Sequence, residues 1–211
     1  MPSILINIFM TALVGYLLGS LPSAYMMGRL FKKIDIRQVG SKNMGAMNSF
    51  YNLGALPGAL VLLMDIGKGA LAVLLGYLIY PELYMVCYLC AFMAIVGHNY
   101  PIWLRFKGGK GGATVVGICC ALFPWGIGVA IIVFGLFTLI TKWPTISYGI
   151  ALVAFPLMYL IINGSTHTFW ALLFFVLIPY FFYIPRLLQV WRRYDGNIKK
   201  IFLRKNLQDR K

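Results

Sequence analysis

Long apolar runs without charge, each closed by a short cluster of glycine, proline or charged residues, set the pattern of this 211-residue chain. The runs cover residues 3–28, 69–81, 83–104, 111–141 and 143–185. A helix that crosses a bilayer needs about 20 mostly apolar residues, so the pattern predicts an all-α polytopic membrane protein. Seven transmembrane helices fit best, some of them short, in a single domain over residues 1–211 with a basic tail from about residue 186 to 211. The first run is too long and too rich in glycine for a secretory signal and ends in no small-residue cleavage site, so it is expected to persist as helix 1.

The charges orient these helices. Lys32, Lys33, Arg37 and Lys42 follow the first run, and Arg105, Lys107 and Lys110 follow the third helix. The tail carries Arg192, Arg193, Lys199, Lys200, Arg204, Lys205, Arg210 and Lys211. The turns Tyr80-Pro81-Glu82, Phe123-Pro124-Trp125-Gly126 and Asn163-Gly164-Ser165-Thr166-His167 hold no lysine or arginine. Because Lys and Arg mark cytoplasmic loops, the N-terminus is expected outside and the C-terminus in the cytoplasm. That parity requires residues 111–141 to cross twice, with a break at Pro124-Trp125-Gly126. A single crossing would leave Lys142 and the basic tail outside.

Composition sharpens the class. Hydrophobic residues make up 61% and charged residues 11%, where soluble domains carry roughly a quarter charged. The net charge of +14 lies in short loops and the tail, which fits phosphorylated small molecules and anionic membrane lipids as partners and disfavours nucleic acid. Cys87, Cys90, Cys119 and Cys120 all fall inside apolar runs and read as packed core residues, with no metal site and no cofactor implied.

Two loops carry the chemistry. Lys107-Gly108-Gly109-Lys110-Gly111-Gly112 follows Gly97-His98-Asn99-Tyr100-Pro101 and opens into an apolar run. Glycines let backbone N–H groups converge on an anion, and a helix starting at Gly112-Ala113-Thr114 adds its positive end to the charge of Lys110. A plain cationic turn before a membrane helix is the competing reading. The first loop, Asp35 to Asn48, alternates Gly40 and Gly45 with Ser41, Asn43 and Asn48, donors suited to phosphate oxygens and equally to turns and helix caps. Asp65 and Lys68 lie one turn apart in the second helix and are expected to pair, the alternative being a lysine that projects toward the site. His98, beside the glycine-lysine loop, is a candidate base or a cap for polar backbone. Only five acidic residues are present and neither HExxH nor GxSxG occurs, so hydrolytic and metal templates fit poorly.

Gly19-Ser20-Leu21-Pro22 with Tyr25 and Gly28, Asp35-Ile36-Arg37, Gly40-Ser41-Lys42-Asn43-Met44-Gly45-Ala46, Gly97-His98-Asn99-Tyr100-Pro101 and Lys107-Gly108-Gly109-Lys110-Gly111 together resemble the PlsY family of acyl-phosphate:glycerol-3-phosphate acyltransferases. The resemblance implies a seven-helix bacterial inner-membrane enzyme with its active site at the cytoplasmic face. It would transfer a fatty acyl group from acyl phosphate to sn-glycerol 3-phosphate, giving lysophosphatidic acid and phosphate. It implies Ser41, His98, Lys110 and Asn197 as catalytic. Arg37, Gly40, Asn43, Gly45, Asn48, Lys68, Lys107, Gly108, Gly109, Gly111, Lys142, Thr145 and Ser147 would bind the substrates. Three positions depart from the family pattern: Met47 replaces a threonine, Tyr51 an arginine and Tyr194 a histidine. A diverged subunit that binds phosphorylated lipid beside a partner protein, or that uses another acceptor, is the alternative; an anion transporter is a third reading, disfavoured by the bare outer turns. Oligomeric state is left open.

Overall fold

The computed structural model describes residues 2–193, and these are all helix and loop. Nine α-helices follow in order among the described residues: α1 Pro2–Gly19, α2 Ser23–Lys32, α3 Ala46–Leu53, α4 Ala55–Ile79, α5 Tyr84–Asn99, α6 Gly112–Leu122, α7 Gly126–Thr141, α8 Pro144–Asn163 and α9 His167–Arg193. Five segments are long and apolar enough to cross a membrane, namely Leu5–Lys32, Ala55–Ile79, Tyr84–Leu104, Ile146–Asn163 and His167–Pro185. α6 and α7, with 11 and 16 residues, are shorter, about 17 and 24 Å at 1.5 Å per residue. They part at Phe123-Pro124-Trp125, where a break is expected.

The first apolar run differs from the single helix expected. α1 stops at Gly19 and α2 starts at Ser23. Pro22 has no N–H to continue the ladder, and Leu21 and Ser23 make short-range turn bonds to Leu18 and Leu21 instead. The offset turns α2 into a short amphipathic helix that carries Arg29 and Lys32 in its last turn.

Helices that share lipid as solvent gain nothing from burying leucine against leucine, so close contact depends on small residues. A Cβ on Gly19 would stand 2.0 Å from the Ala94 carbonyl oxygen, and one on Gly97 2.2 Å from that of Tyr16, so α1 and α5 touch backbone to backbone. α4 meets α6 in the same way, through Gly69 against Thr114 and Gly117 against Ile66. α4 thereby lies between α5 and α6, while α7 pairs with α8 and α9 packs on α6 and α8. The main apolar core, including Ile95, Ile118, Phe155 and Phe175, fills the space among them. A second core around Met27, Ile36, Met44 and Val61 seats the first loop on α2 and α4.

Candidate active site

The first loop is braced from inside. Asn48 is buried; its amide donates to the carbonyls of Ile36 (3.1 Å) and Val39 (3.2 Å), and its oxygen accepts from Ser41 N–H (2.9 Å) and Asn52 (3.0 Å). Both hydrogens of that side-chain amide are committed, so the Asn48 side chain shapes the loop in this structure. Gly40 and Lys42 both hold left-handed backbone, at φ +58° each, and a Cβ on Gly40 would strike Asn48 and Asn52. Arg37 grips Asp35 through Nε and Nη2 at 2.7–3.2 Å and donates from Nη1 to the Leu104 carbonyl (3.3 Å). Hydrogen bonding from Arg37 holds the Asp35 carboxyl below its ordinary range, and the carboxylate in turn raises the guanidinium.

The glycine-lysine loop folds back on α5. Gly108 N–H bonds the Asn99 carbonyl (3.0 Å) and Gly109 N–H that of His98 (3.1 Å). In the first loop, Lys42 N–H likewise bonds Val39. In this structure these three N–H groups bond to the protein's own carbonyls. The starts of α3 and α6, preceded by Gly45 and Gly111, also offer donors to an anion, because the first N–H groups of a helix have no partner within it. The two loops meet: a Cβ on Gly109 would lie 2.6 Å from the Met44 carbonyl oxygen and 2.1 Å from His98 Nε2.

Beneath Gly109 lies a buried polar cluster. Asp65 Oδ1 accepts from Ser23 Oγ (2.8 Å), pairs with Lys68 Nζ (2.8 Å) and stands 3.6 Å from His98 Nδ1. That nitrogen is 3.2 Å from Thr114 Oγ1, and Lys68 also donates to the Leu21 carbonyl (3.1 Å). Asp65 and Lys68 pair as the sequence suggests. In this structure the Lys68 ammonium is buried, paired with Asp65 and bonded to the helix break at Leu21. His98, 6% exposed, supports the loop from below.

Lys110 reaches across to α9, with Nζ 4.1 Å from the centre of the Tyr183 ring. Lys107 is exposed, as is Lys142, which caps α7 in left-handed backbone at φ +55°. Ser147 is wholly buried, its hydroxyl donating to the Trp143 carbonyl (3.0 Å) and lying 3.2 Å from Thr141 Oγ1. It stabilises the turn from α7 to α8 in this structure, where a substrate contact is expected from sequence. Next to it, Tyr148 brings its hydroxyl 2.9 Å from where a Cβ on Gly112 would stand, so this turn adjoins the start of α6. Thr145 is the second residue of α8. Ser41 and Asn43 are part-exposed in the first loop. Asn197 and Tyr194 lie outside the described residues.

A family model described as glycerol-3-phosphate acyltransferase matches residues 9–203. The chain belongs to this family. It is 47% identical over 207 residues to glycerol-3-phosphate acyltransferase 2 of Dehalococcoides mccartyi strain CBDB1, covering 98% of each chain. Glycerol-3-phosphate acyltransferase 1 of the same species, strain ATCC BAA-2266 / KCTC 15142 / 195, is 41% identical over 80% of this chain and 82% of its own. Among solved structures, PlsY (YgiH), an integral membrane glycerol 3-phosphate acyltransferase crystallised in its glycerol 3-phosphate form, superposes with a TM-score of 0.77. It is 26% identical, and the match covers 86% of this chain and 92% of that one. Its lysophosphatidic acid form superposes at 0.76.

For a glycerol-3-phosphate acyltransferase, the sequence motifs identify the loops but not their wiring. Ser23, Asp65, Thr114 and Tyr183 all touch the supports of the site, yet none stands in a motif that would single it out. Asp65 alone had a signal, a charge inside an apolar helix. Met47 and Tyr51, two of the departures from the family pattern, are both exposed, one turn apart on α3.

Proposed function

We propose that this chain transfers a fatty acyl group from acyl phosphate to the 1-hydroxyl of sn-glycerol 3-phosphate, releasing lysophosphatidic acid and phosphate. Membership of the family over nearly the full chain supports the reaction. The observation that carries the site is the meeting of the two loops at Met44 and Gly109, which lead directly into the starts of α3 and α6, with Lys110 next to Gly109 in the chain. Within this reading the chain is one domain that crosses a bacterial inner membrane seven times, N-terminus outside, with the loops at the cytoplasmic face. The absence of lysine and arginine from the turns at 80–82, 123–126 and 163–167 supports that orientation.

Acyl phosphate arrives activated, so no protein nucleophile is needed. The acceptor oxygen attacks the acyl carbon, the bond from that carbon to the phosphate oxygen breaks, and the departing phosphate takes the electron pair and the hydroxyl proton. What the protein supplies is placement and charge neutralisation. Lys110 and the first N–H groups of α6 face the phosphate, joined by Ser41, Asn43 and the start of α3. Gly40, Gly45, Gly108, Gly109 and Gly111 permit the close chain paths, and Arg37 and Asn48 brace the first loop. His98, held by Asp65 and Thr114, sets the height of Gly109. The exposed Lys107 and Lys142 add positive charge for the two phosphates, and the family resemblance adds Thr145 and Asn197 as substrate-binding and catalytic residues.

The test is direct. Purified chain in detergent, given acyl phosphate and glycerol 3-phosphate, is expected to release phosphate and form lysophosphatidic acid in equal amounts. No lipid product with this or any other phosphorylated alcohol, while acyl phosphate still binds, would refute the reading. It would favour instead a non-catalytic subunit, the alternative motivated by Met47 and Tyr51.

A further inference from the structure

We propose that Asn99, the last residue of α5, reads the hydroxyl of the acceptor that is not acylated; the inference rests on the acceptor assigned above. Every other buried polar side chain among the described residues makes a hydrogen bond within the protein. Asn99 is placed as deeply, at 4% exposed, yet its side-chain oxygen has no partner. Buried polar atoms are nearly always bonded, and one left alone carries a desolvation cost that a bound molecule relieves.

This oxygen lies at the start of α6. A Cβ on Gly111 would stand 3.1 Å from Asn99 Oδ1, so the amide rests against the residue that caps the helix. A second enclosed group without a partner, the Tyr148 hydroxyl, is 2.9 Å from where a Cβ on Gly112 would stand. Two unsatisfied atoms therefore flank the two glycines that open α6, where the first N–H groups also lack partners within the helix. Gly111 lies over the Asn99 oxygen, so a ligand reaches it by a small displacement of the loop, which glycine backbone allows.

The chemistry of the atom selects its ligand. An amide oxygen only accepts hydrogen bonds. A doubly ionised phosphate, on either substrate, offers only acceptors, and so does the acyl carbonyl. The hydroxyls of glycerol 3-phosphate are the donors that remain. The 1-hydroxyl gives its proton to the departing phosphate, so the 2-hydroxyl is the one free to donate to Asn99 throughout the reaction. Water carries the same chemistry, and the test separates the two sources.

The measurement compares kcat/KM for glycerol 3-phosphate with that for 3-hydroxypropyl phosphate, which lacks the 2-hydroxyl. The wild type is expected to prefer the first by about 10- to 100-fold, equivalent to about 1.4–2.8 kcal/mol. Asn99→Leu, similar in size but unable to accept, should lower kcat/KM for glycerol 3-phosphate by that factor, so that the two alcohols turn over alike. Its thermal unfolding midpoint in detergent should not fall, since no internal bond of the oxygen is lost. Asn99→Asp keeps an acceptor oxygen and should keep the preference. Equal rates for the two alcohols in the wild type, or the full preference surviving in Asn99→Leu, overturns the inference and leaves water as the partner; the wild-type comparison needs no variant to fold. Loss of both alcohols in Asn99→Leu with a lowered midpoint overturns it too, by making Asn99 structural. All these outcomes leave the proposed reaction standing, whereas a wild type that binds acyl phosphate but acylates neither alcohol removes the reaction and the inference with it.

Discussion

Adding one methyl group at Gly109 tests the central geometry. The new Cβ would stand 2.1 Å from His98 Nε2, where ordinary contact begins at 3.4 Å, so something must yield by about 1.3 Å. The ring has little freedom to retreat, since Nδ1 on its far side faces Thr114 at 3.2 Å and Asp65 at 3.6 Å. Moving the loop instead drives the same methyl toward the Met44 carbonyl, 2.6 Å away. Overpacking of this kind costs about 1–3 kcal/mol, and a displacement near 1 Å at a reacting centre lowers the rate by about 10²-fold. Gly109→Ala is therefore expected to remain foldable but to lose about 10²-fold in kcat/KM, measured as phosphate release from acyl phosphate by detergent-purified protein. Gly67→Ala, where nothing lies within 4 Å on α4, is the matched control and should be as active as wild type. If Gly109→Ala matches that control, the packing of His98 under the loop has no bearing on catalysis.

Further outcomes follow from the same contacts. Lys110→Ala should lower kcat by about 10²–10³-fold, the scale for removing one preorganised group at developing charge; a near-normal rate would displace Lys110 from the site. Asp65→Ala leaves the Lys68 ammonium buried without its carboxylate and should cost about 3–5 kcal/mol. Thermal unfolding in detergent reads this as a clear drop in midpoint, largely recovered when Lys68→Met is added. Arg37 lowers the Asp35 carboxyl, so the ion pair stabilises the first loop fully above the unfolded value of about 3.9. That contribution is lost as pH falls through the lowered folded value. Proteolytic nicking of the loop should accordingly rise only on the acid side, and Asp35→Asn should nick readily at neutral pH too. Cys87→Ser keeps a donor for the Val73 carbonyl and should leave turnover near wild type.

Much of the helical layout could be read from residues near one another in sequence. The break at Pro124, the turns at 80–82 and 163–167 and the pairing of Asp65 with Lys68 all depend on local spacing. What escaped the sequence depends on distance along the chain. His98 meets an aspartate 33 residues earlier, Lys110 a tyrosine 73 residues later, and no periodicity records either pairing. Glycine was informative about close approach but not about direction: Gly108 and Gly109 turn their N–H groups to the end of α5, a choice set by the tertiary path of the loop. Asn48 and Ser147 show the same limit, since a short polar side chain suits phosphate and a neighbouring carbonyl equally well. The split at Ser20-Leu21-Pro22 had a visible cause in Pro22, outweighed in the sequence reading by the continuous apolarity around it.

The ion pair within α4 also bears on how the chain is made. A helix carrying a lone aspartate or lysine meets about 2.5–3.5 kcal/mol of resistance on entering the bilayer from the insertion machinery. Asp65 and Lys68 sit three residues apart on one helix, so each offsets the other's charge when that segment emerges, before α5 has been synthesised. Ser23 is already in place by then; His98 and Thr114 arrive later. The newborn segment can thus partition into lipid as a nearly neutral unit, and the groups that later surround it find the pair ready formed.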